Sequence, residues 1–361
     1  MRRTFIACVA AAVAIVVIAY AFGNVRAEPT PPSEFHDVIR GQVMDKPLPA
    51  PVDDGGPRKV YVGAYAFQAP EMDLAGSTFM LDFWLWFRWH GEDMDPSKSF
   101  EFSGLYEGWD VLKQGVYTDD DGNPAPDDLG NGWRYQVVRY QARFSASFDV
   151  RDYPFDKQHL VVSIEDNERV VEDMVYVVDE GSRLVDPNFG IVGWQVEKVT
   201  AEVDVREYGT NWGDPRRGPG EDKYSRFTYT VHLKRPVLGY LAITVIPIAL
   251  VMLITLVVFL VHPKYFEGRL GLAVTTLISA VALQLTAAGN LPATGYVLML
   301  DHIYNLAYFT ILLALVESVI SVRLYDQEKV AASRKLDRVA LLGAGVMFFG
   351  ITGIMLLAKV L

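Results

Sequence analysis

The sequence predicts an immunoglobulin-like, antiparallel β-sandwich followed by an all-α bundle of four transmembrane helices. Three observations predict this. About half of the 361 residues are apolar, too many for an ordinary soluble chain of this charge and too few for a pure membrane bundle. Apolar and polar residues alternate with a two-residue period through much of the stretch before Arg235. After Arg235 come four apolar runs, each close to the ~20 residues that cross a bilayer as a helix.

The first 27 residues carry Arg2 and Arg3, an apolar run from Phe5 to Phe22, and small residues ending at Ala27. That is the pattern of an export signal; an uncleaved anchor is the second reading. Cleavage after Ala27 removes Cys8, the single cysteine, so the exported chain is expected to hold by packing without disulfides or thiol chemistry. Residues 28–57 are proline-rich and read as a leader arm. Residues 58–235 read as the exterior domain. From Glu28 to Arg235 there are 38 acidic against 22 basic residues, and from Pro236 onward 6 against 8. So acidic a domain excludes nucleic acid as a partner and suits cations or amines.

Within the exterior domain, Thr78–Trp89 alternates strictly. Phe79, Leu81, Phe83, Leu85, Phe87 and Trp89 take one face, and Met80, Asp82, Trp84, Trp86 and Arg88 the other. Two tryptophans on a face expected to be wet call for another subunit, a ligand or a covering loop. "DDDGNPAPDD" gathers Asp119, Asp120, Asp121, Asp127 and Asp128. It reads first as a solvated acidic loop and second as a calcium site, because the EF-hand spacing is absent. The six histidines lack metal-ligand spacing, and no nucleotide loop or hydrolase elbow is present, so nothing points to an enzyme or a resident cofactor. "FDVRDYPFDKQHL" (Phe148–Leu160) puts Pro154 between Tyr153 and Phe155 among five charged residues, which predicts a rigid turn between two strands.

The four spans are expected at 237–261, 270–288, 297–322 and 339–361, making residues 236–361 the membrane domain. Lys264 and Arg269 stand between the first two, and Arg323, Lys329, Arg334, Lys335 and Arg338 between the last two. "GNLPATG" between the second and third has no basic residue, so the positive-inside rule puts the N-terminal domain outside. In the second span, Glu267, Gly271, Thr275, Ile278, Ala282, Leu285 and Gly289 fall within a sector of about 80°. A polar stripe of this kind lines water or glues helices together, and the residues alone leave both readings open.

Four motifs in order, "FWLWFRW", "YPFDKQ", "KRPVLGY" with Pro247, and "NLPATGY", resemble the pentameric ligand-gated ion channels, the Cys-loop receptors and their bacterial relatives. The resemblance covers about residues 58–361. It implies a homo-pentamer in a bacterial inner membrane, crossed several times by each chain, with the N-terminal domain in the periplasm. It further implies a pore lined by the second span, with Glu267 as the ring that selects monovalent cations and Ile278, Ala282 and Leu285 as the constriction. Arg269, two residues on, stands at the same mouth and is expected to blunt that ring. The ligand implied is a small molecule, proton or cation between subunits, near Trp84, Trp86, Trp109, Asn167, Tyr208, Trp212 and Tyr224. Asn167 occupies a place where many relatives have tryptophan, and Ala280 one where a proton-gated bacterial relative has histidine. The acidic run Glu165, Asp166 and Glu168 reads first as a solvated face and second as a partner for a cationic ligand. Asp73, Tyr153, Pro154, Phe155, Asp156, Arg235 and Pro292 are the implied coupling residues, with Asp156 paired to Arg235. Animal relatives close the turn with a disulfide; the corresponding positions here are Ala146 and Leu160. The runner-up reading is a membrane-anchored sensor that does not conduct.

Overall fold

The computed structural model describes residues 55–119, 125–179, 184–213, 215, 218, 220, 222–289 and 291–360. The expected export signal, nearly all of the leader arm, Asp120 and Asp121 lie outside these residues. The chain divides into two compact units. One runs through Phe148 and resumes at Lys157–Lys234; the other holds Asp149–Asp156 and the chain from Arg235.

The first unit contains β1 (Arg58–Asp73), β2 (Thr78–His90), a short turn of helix α1 (Pro96–Ser99), β3 (Phe100–Ser103), β4 (Leu105–Tyr106), β5 (Leu112–Gly115), β6 (Asp127–Gly130), β7 (Trp133–Ser145), β8 (Lys157–Asp166), β9 (Met174–Val178), β10 (Gln195–Glu207) and β11 (Lys223–Lys234). One sheet is ordered β4-β7-β2-β1-β9, with β5 and β6 also on β7; the other is β10-β11-β8-β3. All pairs are antiparallel except β1 with β9, which is parallel and departs from the all-antiparallel expectation. That pairing follows from the long connection between β8 and β10, which leaves β9 free to run beside β1.

The alternation read in β2 is realised. Phe79, Leu81, Phe83, Leu85, Phe87 and Trp89 are buried, and they meet Phe144 and Tyr140 of β7 and Phe102 and Phe100 of β3. Phe227, Tyr229, Val231 and Leu233 of β11 close the same core from the second sheet. Burying each such side chain contributes about 1.5–3 kcal/mol, so this interior holds without a covalent staple. On the outer face of β2, Trp86 lies directly over Gly63, where an added Cβ would fall 2.1 Å from the indole. Only glycine admits that approach.

The second unit contains α2 (Val237–Val257), α3 (Phe266–Ala288), α4 (Met299–Asp326), α5 (Val330–Gly345) and α6 (Ile351–Val360). A 3-10 turn over Val258–Leu260 ends α2, which contains Pro247, and a π turn over Val346–Gly350 joins α5 to α6 as one span. Four stretches are long and apolar enough to cross a membrane: Gly239–Leu260, Phe266–Ala288, Met299–Asp326 and Val330–Lys359. The chain is a multi-pass membrane protein. The last span begins nine residues before the expected start, so Arg334, Lys335 and Arg338 are helical rather than in a loop. The apolar run marks only the lipid-bathed part of a helix, while backbone hydrogen bonding continues into water. Ile248, Met252, Ala280, Ile303, Tyr304, Ala307, Ile311 and Phe348 pack the interhelical core. Ile243, Phe309, Leu312, Val346 and Ile354 remain exposed on the single chain.

Candidate functional site

On α3 the two faces differ chemically. Arg269, Ala273, Thr276 and Ala280 are buried, spaced four, three and four residues apart, and face the other helices. Glu267, Gly271, Thr275, Ile278, Ala282, Leu285 and Gly289 are all exposed on the single chain. The hydroxyls of Thr275, Ser279 and Thr286 each donate to the carbonyl four residues earlier, at 2.8, 2.9 and 2.9 Å. Gln284 is held between helices instead, by Asp301 at 3.2 Å and the Tyr308 hydroxyl at 2.5 Å. Thr276 and Gln284 therefore serve packing, while the Glu267–Gly289 stripe is uncovered on the single chain.

Arg269 differs from its expected place at the helix mouth. It is fully buried, 2.9 Å from Asp337 and 3.7 Å from Glu317, and it donates to the Val261 carbonyl through Nε at 2.8 Å and also through Nη2. Glu317 and Asp337 drew no attention in the sequence. The available signal was that carboxyls inside apolar spans need partners.

In the second unit the turn Asp149–Asp156 packs on the helices. Asp156 and Arg235 form a bidentate pair at 2.7 and 2.9 Å, with side chains 1 % and 3 % exposed. The guanidinium is stacked between Tyr153 (4.8 Å) and Tyr240 (4.6 Å). Burial pulls against its charge, but the Asp156 hydrogen bonds and Coulomb attraction prevail and hold its pKa above the usual value. Tyr153 bonds the Thr244 hydroxyl and packs near Leu291 and Leu298. The Tyr153–Pro154 peptide is cis, and Phe155 donates its N–H to Asp152. Val150 donates its N–H to the Tyr296 hydroxyl, Met299 donates to the Arg151 carbonyl, and Lys359 pairs with Asp152 at 2.8 Å. Pro292 is half-buried in the α3–α4 connection. Asp73, in the other unit, accepts the Gly76 N–H in its own turn.

The β unit holds a cavity of about 300 Å³ lined by Glu101, Glu165, Asp166, Asn167, Tyr208, Trp212 and Tyr224. It brings four of the expected ligand residues together. Tyr208 stands 5.2 Å from Trp212 and 6.0 Å from Tyr224 between ring centres. Trp212 is exposed, with φ of 55°. Three carboxylates at this cavity are engaged within the domain, while Glu101, also in its lining, is exposed. Glu165 is paired with Arg226 and accepts the Tyr208 hydroxyl at 2.7 Å. Asp166 is held by Ser99, Arg169 and two backbone N–H groups, and Glu168 lies 3.2 Å from Arg169. Burial first, then the Glu165 bond, raises the Tyr208 pKa.

The other expected ligand residues lie elsewhere. Trp84 is half-buried near Arg139, whose guanidinium grips Asp82 at 2.8 and 2.6 Å beside a cavity of about 320 Å³. Trp86 is buried and donates to Asp179, which also pairs with Arg88; the covering-loop reading fits this tryptophan. Trp109 is 86 % exposed. Asp127 and Asp128 sit on β6, where Asp128 accepts the Gly130 N–H. Among the described residues no three His, Cys, Asp or Glu side chains gather as metal ligands.

No protein-family model matches the chain. It is 23% identical over 323 residues to the proton-gated ion channel of Gloeobacter violaceus, covering 87% of this chain and 86% of that protein. It is 22% identical over 190 residues to a gamma-aminobutyric acid receptor subunit beta of Lymnaea stagnalis, and 24% over 193 residues to a beta-like subunit of Drosophila melanogaster. These two matches cover 52% of this chain and 36% of each receptor subunit. The sandwich, the four spans and these similarities agree, and the chain is a relative of the pentameric ligand-gated ion channels.

Proposed function

We propose that five copies form a cation-selective channel in a bacterial inner membrane, opened by a small ligand bound between subunits of the periplasmic domain. The observation that carries this is the division of α3 into a packed edge and an uncovered edge that begins with Glu267. A carboxylate and a row of small and hydroxylated residues are costly against lipid and inexpensive against water. Five-fold repetition makes Glu267 a negative ring and Ile278, Ala282 and Leu285 an apolar gate.

The aromatic cavity at Tyr208, Trp212 and Tyr224 supports a ligand face on one subunit, and the Trp84–Arg139 face supports its complement on the next. The rings of Tyr208, Trp212 and Tyr224 favour a ligand held by ring faces and hydrogen bonds. The Asp149–Asp156 turn, gripped through Asp156 and Arg235, is the coupling element. Ala280 is fully buried in the bundle, so the place of a pore-helix histidine in a proton-gated relative holds no titratable group here.

Purified full-length protein in a planar bilayer tests the proposal. Cation current is expected, and Glu267→Ala should move the reversal potential toward that of a non-selective pore. A protein that never conducts under ligand, pH and calcium screens would instead be the non-conducting sensor. Open probability against pH and calcium, varied separately, distinguishes a proton or calcium gate from an organic agonist.

A further inference from the structure

Arg269 follows Glu267 by two residues on α3, so a five-fold assembly sets five arginines beside five glutamates at one mouth. Positive charge within the Debye length of about 8 Å would cancel much of the field that gathers cations. The structure takes that charge elsewhere. The Arg269 side chain is 0% exposed and spans three helices: Nη1 is 2.9 Å from Asp337 on α5 and 3.7 Å from Glu317 on α4. Asp337 is itself fixed by the Ser321 hydroxyl at 2.8 Å, and Ser333 lies 2.8 Å from Ser321. Neither Glu317 oxygen makes a hydrogen bond among the described residues. At 3.7 Å it lies beyond hydrogen-bond reach of the guanidinium.

We infer that Asp337, assisted by Glu317, sets ion selectivity as a positioning residue, by keeping Arg269 turned into the bundle and away from the Glu267 ring. This rests on the pore reading above. An arginine that loses its buried partner swings its long stem toward water, and the nearest water is at the cytoplasmic mouth. Selectivity in this protein is thus written on two helices that never line the pore.

Reversal potentials of full-length protein in asymmetric sodium chloride test the inference. Asp337→Asn should lower the sodium-to-chloride permeability ratio about threefold or more, as expected for five charges added beside the ring. Adding Arg269→Gln to Asp337→Asn should restore the ratio, which a merely structural role for Asp337 would not do. A conducting Asp337→Asn channel with wild-type selectivity, or a double variant without restoration, overturns the inference. Should Asp337→Asn not assemble, Glu317→Gln reads the same quantity: a smaller fall supports the idea and an unshifted ratio ends it. A wild type that fails to conduct, or is indifferent to Glu267→Ala, defeats the pore reading itself. An unshifted Asp337→Asn in a cation-selective wild type defeats only this inference.

Discussion

Among its described residues the helical unit buries two arginines, and they are held in opposite ways. Arg235, just before α2, meets Asp156 with two parallel bonds and is stacked by two tyrosines. Arg269, at the start of α3, meets one carboxylate with one bond, stands 3.7 Å from a second, and bonds a backbone carbonyl. The first arrangement is geometrically exacting, since a planar fork and two ring faces admit only a guanidinium. The second is tolerant in shape and demanding in charge. Under the proposed function, the difference assigns one arginine to transmitting position and the other to managing electrostatics.

The largest expected effect is at the exacting site. Asp156→Asn keeps the shape and removes the charge. Breaking a buried pair costs on the order of 3–5 kcal/mol, so opening should be lost while assembly persists on size-exclusion chromatography. Normal currents from that variant would remove the coupling role. A smaller effect separates the two arginines directly. Lysine cannot fork or stack, so Arg235→Lys should lower the melting temperature by several degrees more than Arg269→Lys, a gap of about 1–2 kcal/mol. Equal melting temperatures would erase the distinction between the sites.

The smallest effect concerns pH and belongs to neither arginine. His232 on β11 faces His159 on β8 at 4.8 Å between rings, with Lys198, Glu197, Glu202 and Thr200 on β10 around it. Burial, followed by repulsion from His159 and Lys198, lowers its pKa below the usual 6.5. The unfolded chain then binds the proton more readily, so this contribution is present above about pH 6.5 and is lost as pH falls through the folded pKa. His232→Gln should shrink the drop in melting temperature between pH 7.5 and 5.5. An unchanged drop would show that His232 does not carry the acid response.

The fold was legible because period and length are local properties. The β2 alternation, the four apolar runs and the α3 stripe can all be read without knowing any partner. Partners are what a linear reading loses. Arg269 looked like a charge at a mouth because Asp337 lies 68 positions away in sequence and on another helix. Trp86 looked unaccompanied because Asp179 comes from a strand end 93 positions on. The acidic run at Glu165 looked available because Arg226 and Tyr208 arrive from elsewhere in the second sheet and the loop beside it. Asp156 with Arg235 was readable only through the family resemblance, since those two positions are also far apart.

The hydroxyls of α3 carry a last consequence. A hydroxyl owns one proton and two lone pairs, and Thr275, Ser279 and Thr286 have each committed the proton to their own helix. What they turn outward is therefore oxygen alone. In the five-fold pore proposed above, such a wall would receive hydrogen bonds from water and give none back. Water beside it points its hydrogens at the wall and its oxygens at the axis, a solvent already arranged as the inner shell of a cation.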